Sequence, residues 1–130
     1  MLVKIATKNS IVDTVAALHA AVAKNQFGVM HVHNLQQTML KKGVEFAHEC
    51  LVFEVCNPQQ AKKVLDADMS VSTALPCRIS VYSEGGQTMI ATLRPTKLLA
   101  LFDRPELAPI AAEVETTMLK IMQEAADVRA

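Results

Sequence analysis

The chain has 130 residues, 51% of them hydrophobic and 20% charged, and its 13 Lys and Arg balance its 13 Asp and Glu. That apolar share, with a mean hydropathy of +0.22, excludes intrinsic disorder. A zero net charge and only 4% aromatic residues argue against nucleic acid or an anionic membrane as a partner.

A length of this order suits one unit, and residues 1–130 are expected to form a single α+β domain. Met1–Ala6 reads as an opening strand. Ser10 and Asp13 then mark a helix N-terminus, followed by Ile11, Val15, Leu18 and Val22 at helical spacing, with Asn25 and Gly28 ending the helix. Gly28–His33 is a short β-branched run, read as a second strand. Asn34 caps a helix carrying Leu35, Met39 and Leu40 that stops at Gly43. Glu49–Cys56 is the clearest strand, with Leu51, Phe53 and Val55 alternating against Cys50, Val52, Glu54 and Cys56. Asn57-Pro58 places a cap and a first-turn proline ahead of a helix whose inward face is Ala61, Val64 and Leu65. Asp66–Ala74 reads as a loop. Cys77–Ser83 and Gln87–Leu93 form a hairpin about Gly85-Gly86. After Pro95 come a short helix, Thr96–Phe102, and a last helix from about Glu106 to Asp127, with Ile110, Val114, Met118, Ile121, Met122 and Ala125 in one stripe.

This order predicts a two-layer α+β domain, a mixed five-stranded sheet with helices mainly on one face. The uncovered face needs water, a ligand or a second subunit. A homo-oligomer, most simply a dimer, is expected through that face, where alternation places Val52 and Ile90 beside Glu54, Ser80 and Tyr82. No segment approaches the ~18 consecutive apolar residues of a membrane span. Lys8 and Asp13 interrupt any secretory signal core, so a cytoplasmic location is expected. Cys50, Cys56 and Cys77 are an odd set, better read as free thiols in a reducing compartment than as a disulfide framework.

Motifs with strong chemical meaning are absent: there is no GxGxxG, no GxxxxGK, no HExxH and no CxxC. Five places carry candidate chemistry. Cys50 and Cys56 lie six residues apart on one strand, roughly 20 Å at ~3.3 Å per residue, too far to share one ion. Cys56 ends its strand and Cys77 begins another, so adjacent antiparallel strands would bring those two thiols together. Strict alternation sets them on different faces, a conflict that the sequence leaves open. Cys56 also precedes a helix N-terminus, which favours a thiolate; the bland alternative is a pair of packed, inert thiols. His31 and His33 share a face and could ligate Zn, Cu or Ni, or simply be solvated. His48, Glu49 and Cys50 are ligand types, but neighbours on a strand point to opposite faces. Glu54 and Arg78 suit a cross-strand ion pair, with Tyr82 on the same side. Met118 and Met122 belong to a core stripe.

Glu54-Val55-Cys56-Asn57-Pro58, then Ala61 and Val64-Leu65, and Leu75-Pro76-Cys77-Arg78-Ile79-Ser80-Val81-Tyr82 together resemble family 302 of the domains of unknown function. The chain is similar to the cysteine-bearing version, with Cys before Asn-Pro and Cys after Leu-Pro, from about Ile5 to Ala125. It departs from the common pattern after the hairpin, where Leu93-Arg94-Pro95 replaces Asp-Pro. The resemblance implies a compact α+β domain that forms dimers, no settled activity, and an association of cysteine-bearing members with sulfur and redox metabolism.

The leading expectation is a non-enzymatic binding protein that takes a soft metal or a sulfur or thiol species. The metal ligands would be Cys56 and Cys77, and the ligand site Cys56, Asn57, Pro58, Cys77 and Arg78, with Arg78 as countercharge. No catalytic residue and no cofactor is assigned. The alternatives are a thiol-dependent redox or sulfur-transfer enzyme, and a structural or assembly protein with inert cysteines.

Overall fold

A computed structural model describes residues 1–127. In chain order the elements are β1 (Leu2–Thr7), α1 (Ile11–Lys24), β2 (Gly28–Asn34), α2 (Leu35–Lys41), β3 (Cys50–Cys56), α3 (Pro58–Ala67), β4 (Cys77–Glu84), β5 (Gln87–Leu93), α4 (Pro95–Ala100) and α5 (Ala108–Ala126). Short 3-10 turns at Met69–Ala74 and Pro105–Leu107 complete them. The helix starts follow from their caps. Ser10 Oγ accepts from the Asp13 N–H at 3.1 Å, Asn34 Oδ1 from Gln37 at 3.1 Å, and Asn57 Oδ1 from Gln60 at 3.2 Å. The stretch expected to be a loop before Cys77 is instead the end of α3 followed by the first 3-10 turn. That turn opens where the Asp68 carboxylate accepts from the Ser70 N–H at 2.9 Å and buries Val71 completely.

The five strands form one sheet in the order β1-β5-β4-β3-β2. The α+β class and the five strands agree with the sequence reading, but the sheet is not mixed: all four ladders are antiparallel. The physical reason lies in α1. β1 and β2 run in the same direction, yet they occupy opposite edges of the sheet, so the connection through α1 creates no parallel neighbours. The hairpin between β4 and β5 turns on Gly85 and Gly86, both at positive φ, as a two-residue turn with φ > 0 at both positions demands.

One face of the sheet is dry. Phe53, Val55, Ile79, Val81 and Ile90 are fully buried against Leu18 and Val22 of α1 and Met118, Ile121 and Met122 of α5. Ile90 therefore belongs to the core and not to the open face. The glycine turn sets Glu84 opposite Gln87, which aligns Ile90 with Val81 on one side and with Ile5 on the other. A second, smaller core joins Val64 of α3, Val71, Leu99 of α4, and Leu107 and Ala111 around the start of α5. Helix α5 thus serves both cores in turn, and α4 is tied to it by Glu115. The Glu115 carboxylate accepts from the Thr96 N–H at 3.2 Å and from the Thr96 hydroxyl at 2.7 Å, capping a helix that has no side-chain cap of its own. No helix among the described residues is long and apolar enough to cross a membrane.

Candidate ligand-binding site

The two cores meet imperfectly, and the seam leaves a half-open cavity of ≈ 40 Å³. Phe27 and Val55 reach it from the sheet side, Val64 and Leu99 from the smaller core, and Val114 from the middle of α5. Into this apolar wall come both Cys56 and Cys77. Their meeting follows from register. Val55 is the partner of Cys77, and Cys56 is one residue further on, at the last position of β3, where the chain turns into α3. Cys56 is past the last pair with β4 but still pairs with Gly28 of β2 at the strand end, and both cysteines reach the cavity there. The remaining polar groups of the wall are Asn57 and Gln60. Asn57 is committed to capping α3, whereas Gln60 Oε1 is buried with no hydrogen-bond partner.

Both thiols are held in the neutral form. Burial pushes Cys56 up, and it pushes Cys77 up further, to about 11, with an anionic Cys56 adding to the effect. The expected thiolate at the start of α3 meets the opposite shift. Of the first-turn donors, Pro58 has no N–H, the Gln60 N–H goes to Asn57 Oδ1 and the Ala61 N–H to the Asn57 carbonyl. No His, Asp or Glu lines the cavity to act as a base.

Two wider grooves flank the cavity. One, of ≈ 350 Å³, shares Ala74, Leu75, Cys77, Pro95 and Leu98 with it and has Arg78 on its wall. The other, on the β2–α3 side, meets Cys56 and contains Pro58. Of the five residues expected to bind ligand, Cys56, Asn57 and Cys77 therefore converge on the cavity, while Pro58 and Arg78 stand in the grooves beside it.

The family model of DUF302, the domain of unknown function DUF302, matches residues 3–125. The chain belongs to this family. A solved member is similar throughout: the crystal structure of an uncharacterized conserved DUF302 protein from Bacillus stearothermophilus. It shares 29% sequence identity, covers 95% of this chain and 97% of its own, and superposes with a TM-score of 0.91. No curated protein matches the chain.

The other candidate residues of this DUF302 protein lie away from the cavity, on the open sheet face or its rim. His31 and His33 touch edge to face, with ring centroids 4.4 Å apart, and His33 Nε2 donates to Glu54 Oε1 at 3.1 Å. Arg78 approaches the same carboxylate, Nε to Oε2 at 3.8 Å, as register partner of Glu54. Tyr82 does not join them. It stands opposite Cys50 at the other end of the ladder, where Lys4 Nζ lies 5.9 Å from its ring centroid. His48 packs on Phe46, Cys50 lies 3.9 Å from the Ser80 hydroxyl, and His48, Glu49 and Cys50 share the wall of a wide surface groove with Tyr82 and Glu84, apart from the Cys56/Cys77 cavity. Among the described residues no group of three or more His, Cys, Asp or Glu side chains is arranged to hold a metal ion. Gln60 was not singled out from the sequence. Its signal was present: it falls four residues before Val64, on the helix face that otherwise carries apolar side chains.

Proposed function

We propose that this DUF302 protein is a non-enzymatic binding protein that holds a soft metal ion or a sulfur-bearing small molecule between Cys56 and Cys77. One observation carries the reading: two cysteines 21 positions apart in sequence line a single apolar cavity at the seam of two cores. Sulfur is soft and polarizable, and a water-poor cavity with two thiols favours partners of the same kind. A metal would have to be a two-coordinate soft ion such as Cu(I), because the wall offers no third ligand of the His, Asp or Glu type.

A thiol enzyme is the less supported alternative. A nucleophile needs a thiolate, and both thiols are shifted toward the protonated form with no base on the wall.

The test is a chelator-buffered Cu(I) titration of the reduced protein, with a parallel titration by ethanethiol followed by amide NMR. One equivalent of either, lost in Cys56→Ala and in Cys77→Ala and kept in Cys50→Ala, is the expected outcome. Uptake that follows Cys50, or no uptake of either probe, would overturn the reading.

A further inference from the structure

The cavity at Cys56 and Cys77 does not stop at its mouth. Ala74, Leu75, Cys77, Pro95 and Leu98 line both it and the ≈ 350 Å³ groove, so the small space continues into the large one past the start of β4 and along α4. The groove adds Leu93, Leu101 and Phe102 to its wall. Leu93 is 45% exposed and Leu101 72%. Large apolar side chains left open beside a concave apolar wall are the usual mark of a binding groove. The few polar groups of this wall are already engaged. The Thr73 hydroxyl donates to the Ser70 carbonyl at 2.8 Å and the Thr92 hydroxyl to the Arg78 carbonyl at 2.6 Å, while the Arg78 guanidinium approaches the Glu54 carboxylate. A polar tail entering here would lose water and gain little in return.

We infer that this groove is the tail subsite of the Cys56/Cys77 cavity, and that the ligand is an aliphatic thiol with its sulfur end in the cavity and its hydrocarbon chain along Leu98, Leu101 and Phe102. The inference rests on the reading of Cys56 and Cys77 as a binding pair, and within it selects a sulfur compound with an apolar tail over a metal ion. Three features agree. The cavity, at ≈ 40 Å³, admits only a few heavy atoms, so the rest of a longer ligand has to leave through the mouth. The groove on the β2–α3 side is the poorer exit: it shares only Cys56 and Ala61 with the cavity and carries the Lys62–Asp66 ion pair. A bare metal ion would leave the apolar groove empty, and its capture would require both cysteines to lose their protons, which burial opposes at each. Binding is non-covalent, and no bond to Cys56 or Cys77 is formed.

Dissociation constants of ethanethiol, 1-butanethiol and 2-methoxyethanethiol are read by amide NMR on the reduced wild type, on Cys56→Ala, on Cys77→Ala and on the double variant Leu93→Asn/Leu101→Asn. A fully buried methylene strengthens binding about fourfold, and the groove is open on one side, so wild type is expected to bind 1-butanethiol about fivefold to tenfold tighter than ethanethiol. The ether, with as many heavy atoms as 1-butanethiol but an oxygen in its tail, is expected to bind at least about fivefold more weakly than 1-butanethiol. Because Leu93 and Leu101 are exposed, their replacement should leave the fold and the ethanethiol constant unchanged, and bring the 1-butanethiol advantage to about twofold or less. Nuclear Overhauser contacts from the terminal methyl of 1-butanethiol are expected at Leu98 and Leu101. Equal affinities for the two alkanethiols, an advantage unchanged in the double variant, an ether that binds as well as the hydrocarbon, or methyl contacts at Met30 and Leu65 of the other groove would each overturn the inference. The two failures are distinguishable. Ethanethiol binding that needs both cysteines but gains nothing from a longer chain rejects the tail subsite alone. Thiol binding that ignores both cysteines, or no binding of any of the three, rejects the binding pair itself and the inference with it.

Discussion

Raising the pH through the thiol range reads the burial of Cys77 directly. Burial lifts this thiol from an ordinary 9.0 to about 11, so the folded protein keeps the proton to a higher pH than the unfolded chain does. Below about pH 9 both states are protonated and stability is unaffected. Between about 9 and 11 the unfolded chain releases its proton first, and stability falls; above 11 the full amount is lost. At ~1.36 kcal/mol per pH unit between the two values, the loss is of the order of 2–3 kcal/mol. Urea unfolding of reduced wild type and Cys77→Ala at about pH 8 and about pH 11 isolates it, because every other side chain is common to both proteins. With a urea slope of about 1–3 kcal/mol per M, the wild-type midpoint should drop by roughly 1–2 M more than that of Cys77→Ala. Parallel losses in the two proteins would refute the burial of this thiol.

Phe53 has no exposed surface and touches both core helices' side of the sheet, so Phe53→Ala should cost roughly 3–5 kcal/mol in urea unfolding; a loss below about 1 kcal/mol would reverse the assignment of the sheet faces. Gln26 follows the end of α1 at φ 64, in the left-handed region that favours glycine, and Gln26→Gly should raise stability by about 0.5–1 kcal/mol by the same measurement, with a loss refuting the strain. The open sheet face carries half-buried Val52 and Met89 among polar neighbours, and two copies of the chain are expected to pair through it. Light scattering at micromolar protein should then give the mass of two chains, reduced to one in Val52→Lys; a wild-type mass of one chain refutes the pairing.

Much of the fold was legible because its signals are local. The alternation of Leu51, Phe53 and Val55, the Asn57-Pro58 cap and the Gly85-Gly86 turn each determine an element within a few residues, and each element stands where the sequence put it. Strand order and pairing direction depend on how α1 crosses the sheet, which no local pattern encodes, and so the sheet was expected to be mixed. Ile90 was set on the wrong face for a related reason: its side is determined by the register of the hairpin and not by its own neighbours. At the site, the strand ends put Cys56 near Cys77 while alternation set them on different faces, so their meeting was only half legible. Their protonation was not legible, because it depends on Val64, Leu99 and Val114, which arrive from three separate helices. Gln60 was hidden by its position in a helix turn whose apolar residues drew the reading inward, and an unpartnered oxygen exists only once the surrounding wall is built.

Site-resolved alkylation of the reduced protein tests the shared Cys56/Cys77 site most directly. Iodoacetamide modification of each cysteine is followed by mass spectrometry with and without saturating ethanethiol. Cys56 and Cys77 should both be protected, to the same degree and at the same ethanethiol concentration, while the rate at Cys50 stays unchanged. Protection confined to one of the two, or extending equally to Cys50, would contradict a ligand held between them.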